Sequence, residues 1–304
     1  MAPTSTKHDN ATLGWRCRLW PFFQRQAVPR WNCYESVDWD HAMKSHKPEI
    51  ALLVLVILVS IGGFWKLFMG PEADPGGVHY LHLVTSLLWL ALLLVQLVNI
   101  ERKRFSRHRD IGLAIFVMGP LIVATLAMLS VHSAARALVE AQADRLIVQN
   151  VMMTFELGLV IALAFALRKN RNLHGAFLMS SSLMFLGIAL FFSLLSFVPQ
   201  FRIEGPETFY RFGTAAAAAG LVIAVLGTAF FLRNRRHGWP WLLVGLVFFI
   251  NEAINALMRK YGGLQPLTEF VGSFNENGAF GVALVGFSAL LSVAWHAGKN
   301  KGQS

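Results

Sequence analysis

Charge is the scarcest thing in this 304-residue chain: Asp, Glu, Lys and Arg make up 14% of it, against about 25% in soluble domains. With 55% hydrophobic residues and a mean hydropathy of +0.50, that deficit excludes a water-soluble globular protein, and the same figures exclude disorder. Two cysteines, Cys17 and Cys33, are too few for a disulfide scaffold or a four-thiolate zinc site, and they lack a CxxC spacing. There is no Gly-rich phosphate loop, no HExxH or ExxH, no His pair at i, i+4, and no internal repeat strong enough to imply two equivalent halves. The composition assigns a location and names no reaction.

What the chain has instead is long apolar runs. A helical span needs roughly 20 mostly apolar residues to cross about 30 Å of hydrocarbon, and eight stretches qualify: 50–69, 78–99, 111–132, 150–167, 176–198, 212–232, 241–258 and 278–295. The third carries Pro120, which a packed bundle tolerates as a kink. The last is weakened by Gly278, Gly281 and Gly286. The small-residue run Thr214, Ala215, Ala216, Ala217, Ala218, Ala219, Gly220 is a packing device, because small side chains let neighbouring backbones approach.

The net charge is +10, but its bases are not gathered on one soluble face, so no nucleic-acid partner is expected. Arg102, Lys103, Arg104, Arg107 and Arg109 follow the second span, Arg168, Lys169 and Arg171 the fourth, and Arg233, Arg235 and Arg236 the sixth. The positive-inside rule predicts these connections in the cytoplasm. Residues 70–77 hold Glu72 and Asp74 with no base, and 133–149 balances Arg136 and Arg145 against Glu140 and Asp144, so both are expected outside. Lys299 and Lys301 place the C-terminus inside, and an even number of spans places the N-terminus there too.

The expected fold is therefore all-α: a polytopic membrane bundle of about eight transmembrane helices, N-in and C-in, in a bacterial inner (cytoplasmic) membrane. Residues 1–49 form a basic and aromatic cytoplasmic segment, 50–297 the bundle and 298–304 a short tail. The first 49 residues lack the unbroken apolar core of a cleavable signal peptide. Within them Trp15, Arg16, Cys17, Arg18, Leu19, Trp20, Pro21, Phe22 and Phe23 alternate base and aromatic, which suits contact with anionic headgroups. The lipid bilayer is the first expected partner.

An ionisable group in hydrocarbon costs at least ~2.5 kcal/mol at a helix centre, so each one is a functional candidate. In the second span His79, His82, Ser86, Trp89 and Gln96 follow one another at three, four or seven residues and form one helical stripe, which should face other helices. His82, His132 and Glu156 are expected in the outer part of the membrane, with Asn251, Glu252 and Asn255 in the outer half of the seventh span and Glu276 at the mouth of the eighth. Imidazoles and carboxylates from different helices are ligands for zinc or for iron or manganese inside a bundle. The expected metal set is His82, His132, Glu156 and Glu252, with Ser86, Trp89, Gln96, Asn251 and Asn255 as an accompanying polar stripe. The commoner alternative is that these groups hydrogen-bond one another between helices. A hydrolase would use Ser86 one turn from His82, with Glu156 as the acid; Ser180, Ser181 and Ser182 are read more simply as packing residues.

On the basic side His108 precedes the third span and His174 the fifth. Histidines at equal depth on parallel helices hold bis-histidine haem in membrane cytochromes, so His108 and His174 are the expected axial ligands of haem b.

Taken together, His82, Trp89, Gln96 and the run His108-Arg109-Asp110-Ile111-Gly112 resemble a pattern in a broad group of uncharacterised bacterial multi-pass membrane proteins. That pattern has a histidine-bearing span with Trp and Gln at these offsets, a basic loop, and an HRxxG start to the next helix. Arg168 to His174, continued by Gly175, Ala176, Phe177, Leu178 and Met179, resembles the group's second basic loop, and the likeness covers residues 78 to about 185. The group shows His-x-His-Gly where this chain has Tyr80, Leu81, His82 and Leu83, so the first histidine's role does not carry over. A histidine-bearing four-helix core also resembles, more loosely, the cytochrome b superfamily, which ranks haem b ahead of other cofactors.

Three functions follow. The first is a haem-b-type redox or electron-transfer membrane protein using His108 and His174, with the stripe from His82 to Gln96 lining a cavity for a quinone or lipid-like small molecule. The second is a metal-dependent intramembrane hydrolase or oxygenase with Zn or Fe at His82, His132, Glu156 and Glu252. The third is a non-enzymatic transporter or assembly factor with no cofactor at all.

Overall fold

Continuous runs of Leu, Val, Ile, Phe and Ala leave the backbone no solvent to bond with in lipid, so each run must satisfy its own N–H and C=O groups as a helix. The computed structural model describes residues 45–71 and 73–300, with the side chains of 299 and 300 left aside. The N-terminal basic and aromatic segment with Cys17 and Cys33, Glu72, the Lys299 side chain and Lys301 lie outside the described residues. Ten α-helices follow in order: α1 (Lys47–Met69), α2 (Gly77–Glu101), α3 (Phe105–Gly112), α4 (Ile115–Val139), α5 (Ile147–Ala166), α6 (Arg171–Phe197), α7 (Arg211–Arg233), α8 (Trp239–Lys260), α9 (Leu264–Gly272) and α10 (Glu276–Asn300). Among the described residues, eight of them, all but α3 and α9, are long and apolar enough to cross a membrane by length and composition.

The eight long helices fall where the hydropathy pattern puts them, with one difference of consequence. The third span starts at Ile115, not at residue 111, because residues 105–112 fold into the separate helix α3. His108 therefore lies on the separate helix α3 and not on the long one. The second short helix, α9, packs against α4, where Gly272 meets Leu138 and Ala134. Its buried Thr268 Oγ1 accepts from the Asp144 amide at 3.1 Å, which ties the α4–α5 connection to it.

α4 and α6 are the two central helices. Two-thirds (67%) of the apolar stretch of α6 is buried, against 17% for α10, which places α10 at the periphery. α4 packs on α2, α5, α9 and α10, α6 packs on α1, α5, α7 and α8, and α5 bridges the two groups. The side chains that α2 turns outward are Tyr80, Leu81, Val84, Leu88 and Val95, an apolar face suited to lipid, while Thr85, Trp89, Leu93 and Gln96 are buried. Ser180, Ser181 and Ser182, fully buried in α6, each donate to the carbonyl three residues back, which satisfies their hydroxyl hydrogens within the helix.

Helix ends fix which connections share a side. Arg233 Nη1 donates to Glu49 Oε1 at 2.9 Å, the His46 amide donates to Glu101, and Arg168 lies over the Trp295 ring at 3.6 Å. The ends of α2, α5, α7 and α10 thus gather with the start of α1 at one basic end. At the far end Lys66 Nζ donates to Ser196 O and Arg145 stacks over Phe209.

Two backbones touch where α1 crosses α6. A Cβ at Gly63 would sit 2.3 Å from the Ala189 carbonyl oxygen, whereas one at neighbouring Gly62 would meet nothing within 4 Å. Gly63→Ala is expected to force the helices apart and lower stability by about 1–3 kcal/mol. Gly62→Ala is expected to be neutral or to stabilise by up to ~1 kcal/mol through helix propensity. Thermal unfolding of the two variants in detergent checks this, and equal melting temperatures would contradict the close crossing.

Candidate functional site

The polar side chains inside the bundle form three groups at different levels. At the basic end, Gln96 of α2 reaches α3. With its amide nitrogen turned toward His108 and its oxygen toward Gly112, Gln96 donates to the His108 carbonyl at 2.9 Å and to His108 Nδ1, and accepts from the Gly112 amide at 2.8 Å. The opposite orientation sets oxygen against acceptors and nitrogen against a donor. The Gln and HRxxG elements read from the sequence are thus one local device: a buried amide pinning a short interfacial helix.

His174, on α6, donates from Nδ1 to the Ala164 carbonyl at 2.8 Å and packs edge-on against Phe165 at 5.3 Å. Phe165 continues into a cluster with Phe116 and Trp295. His108 and His174 lie within electrostatic range of one another. As arranged they do not fit bis-histidine haem ligation. A neutral imidazole accepting at Nδ1 carries its proton on Nε2, so His108 offers no second lone pair while Gln96 holds it. The aromatic cluster occupies one side of His174.

The second group runs between α2 and α4. His82 Nδ1 is 3.2 Å from Thr125 Oγ1, His82 Nε2 is 3.4 Å from Ser86 Oγ, and Thr85 Oγ1 is 3.0 Å from Thr125 Oγ1. Trp89 Nε1 continues the stripe by donating to Ser181 Oγ on α6 at 3.2 Å. Both nitrogens of His82 are thus engaged by hydroxyls, and the group orienting it opposite Ser86 is Thr125, not an acid. Glu156 is elsewhere, so the Ser86–His82–Glu156 arrangement is not assembled. At the far end of the same helices His79 and His132 stack edge to face with centroids 5.0 Å apart, and His132 Nδ1 meets Glu276 Oε1 of α10 at 2.9 Å.

The third group is on α5 and α8. Glu156 lies nine residues into α5 and Asn251 nine residues from the end of the antiparallel α8. At about 1.5 Å per residue each is roughly 14 Å from the same end, which puts Glu156 half-way along α5 and deeper than the outer part expected from a span beginning at residue 150. Asn251 Nδ2 donates to Glu156 Oε2 at 3.1 Å. Glu156 and Glu252 line a cavity of about 40 Å³ with Arg145, Gln149, Met153, Met184, Phe191, Phe212 and Phe248. The Oε1 of Gln149 and the Oδ1 atoms of Asn251 and Asn255 are buried without a hydrogen-bond donor.

The four residues read as a metal set are therefore split: His82 and His132 on α2 and α4, Glu156 and Glu252 on α5 and α8. Among the described residues, no group of three or more His, Cys, Asp and Glu side chains is placed to hold a metal ion. Sequence reasoning passed over Gln149 and used Arg145 only to orient the connection it lies on. Gln149 is two helical turns before Glu156 on the same face, and that spacing was the available signal.

Eight apolar helices with polar groups turned toward one another define a multi-pass integral membrane protein. No protein-family model matches the chain, and neither does any curated protein or solved structure.

Burial holds the His108 imidazole below the ordinary histidine value. The neutral ring is thus the docked form, and protonation favours release. The contribution is present above about pH 6.5, the ordinary value, and is lost as pH falls through it toward the lowered one. Amide hydrogen exchange of residues 105–112, corrected for intrinsic pH dependence, is expected to be faster at about pH 5.5 than at pH 7.5. Gln96→Leu is expected to raise it at both. Equal protection at the two pH values would contradict the coupling.

Proposed function

We propose that this protein is a cation-coupled carrier of the bacterial cytoplasmic membrane, oriented with its basic end inside, in which Glu156 takes up the coupling ion. The observation that supports it most is the Glu156–Asn251 contact at mid-depth on two facing helices. A carboxylate away from water is costly unless it is neutralised, and coupling-ion sites of transporters lie near the bilayer midplane. Besides the carboxylate, which accepts from Asn251 Nδ2, the orphaned oxygens of Gln149 and Asn251 border the same region, Asn255 follows one turn later on α8, and Arg145 supplies a cation at the rim. A carboxylate with unpartnered amide oxygens beside it suits a proton, a sodium ion or ordered water.

The rest of the lining is apolar, with Met153, Met184, Phe191, Phe212 and Phe248, which suits a small lipid-like or amphipathic solute. At about 40 Å³ the cavity holds roughly three or four waters, at about 10–15 Å³ each, so solute uptake requires α7 and α8 to move apart from α5 and α6. The α7–α8 contact is built from small residues, with a Cβ at Gly245 only 3.2 Å from the Gly227 Cα, a close packing that suits their moving as one unit.

Dicyclohexylcarbodiimide, which adds covalently to protonated carboxyls in apolar surroundings, tests the assignment. Glu156 is expected to be labelled at about pH 6, with labelling suppressed at high pH or by Na⁺ as the ion leaves or replaces the proton. The label is expected to be missing from Glu156→Gln. Peptide mass spectrometry reads the site. No adduct at any pH, or an adduct indifferent to both pH and Na⁺, would overturn the proposal.

A further inference from the structure

We infer that His79 and His132 form a transition-metal site of zinc or copper type at the end of the bundle opposite the basic connections, with Glu276 holding His132 in the ligating form. His132 Nδ1 is 2.9 Å from Glu276 Oε1, with the pair about one-third exposed or less at each side chain (25% and 36%). A carboxylate can only accept from a neutral imidazole, so the proton sits on Nδ1 and the lone pair on Nε2. That carboxylate–histidine pairing is the arrangement that orients metal-bound imidazoles and raises their basicity.

The second ligand comes from His79. Its Nδ1 is shielded from solvent and has no hydrogen-bond partner, a costly condition for a polar atom that a metal ion would relieve. The two nitrogens face one space. A Cβ built on Gly76 would lie 3.9 Å from both His132 Nε2 and His79 Nδ1, and because residue 76 is glycine nothing fills that position. Gly76 is exposed, so an ion has access from the aqueous end.

Imidazole pairs suit zinc and copper, with Zn–N near 2.0–2.1 Å, and with two protein ligands the remaining positions go to water or a small exogenous ligand. The nearby charges are Arg136, which acts on His79 electrostatically and is 3.7 Å from Glu140, and the Glu276 carboxylate. His82, one turn deeper, is already engaged by Thr125 and Ser86 and is not a third ligand. The site is separate from the Glu156 region: it lies on α2, α4 and α10, that region on α5 and α8.

The test uses the full chain in detergent, stripped with chelator and titrated with Zn²⁺ alone or Cu²⁺ alone. One equivalent is expected to bind, and the Cu²⁺ electron paramagnetic resonance spectrum is expected to show nitrogen coupling from two imidazoles. His79→Ala and His132→Ala are expected to lose binding. Glu276→Gln is expected to weaken it about tenfold or more, while His296→Ala at the other end and Glu156→Gln leave it unchanged. In the unaltered chain, Zn²⁺ is expected to protect His79 and His132 from diethyl pyrocarbonate, which keeps the test independent of whether variants fold. Substoichiometric binding, retention of binding in both histidine variants, or equal carbethoxylation with and without Zn²⁺ would overturn the site.

Discussion

Inside a bundle surrounded by lipid, a polar side chain has no water to fall back on, and the structure is organised around that constraint. Three steps of the α2 stripe end on a partner from another element: His82 on Thr125 of α4, Trp89 on Ser181 of α6, Gln96 on α3. These contacts fix the rotation of α2 about its axis, because turning it would put the same groups into hydrocarbon, where each unpaired one costs several kcal/mol. The apolar side chains on its other face carry no such information, since lipid tails and leucines are equivalent surroundings.

Against that background the groups that are not paired stand out. The Nδ1 atoms of His82, His108, His132 and His174 each meet a hydroxyl, amide, carboxylate or carbonyl, but His79 Nδ1 has no partner, and neither have the amide oxygens of Gln149, Asn251 and Asn255. Buried polar atoms without partners are rare in folded proteins, and each calls for an explanation such as an ion or a water. Among the described residues, Glu49, Asp144, Arg168 and Arg211 each carry one such atom near a helix end, and the other four fall in two places, one beside an imidazole pair and one beside an intramembrane carboxylate. The chemistry of each place follows from its donors: nitrogen lone pairs at the first, oxygens at the second.

The division into helices was legible in the sequence because length and hydropathy alone decide whether a segment can cross lipid. The boundary that failed, at residue 111, failed for a local reason: Ile111 and Gly112 are apolar enough to extend the third span on paper, but Gln96 captures Gly112 and ends a separate helix there. The stripe on α2 was equally legible, since residues three, four and seven apart share a face whatever the fold. Gln96 and the His108–Gly112 run were singled out side by side, yet no spacing rule says that residues twelve and sixteen apart meet across a turn.

The chain's own order of residues determined that it is an all-helical membrane protein, where its eight long helices lie and which face of α2 turns inward, because those depend on local periodicity and on the cost of exposing peptide groups to hydrocarbon. Only the tertiary structure decided which ionisable groups meet. His82, His132, Glu156 and Glu252 are of the right kinds to act together, but helix order around the bundle sends the first two to α4's neighbours and the last two to α6's. It joins His132 instead to His79 and Glu276, 144 residues away in the chain. Contacts between helices depend on azimuth and neighbour choice, and a hydrophobic run of about twenty residues encodes neither.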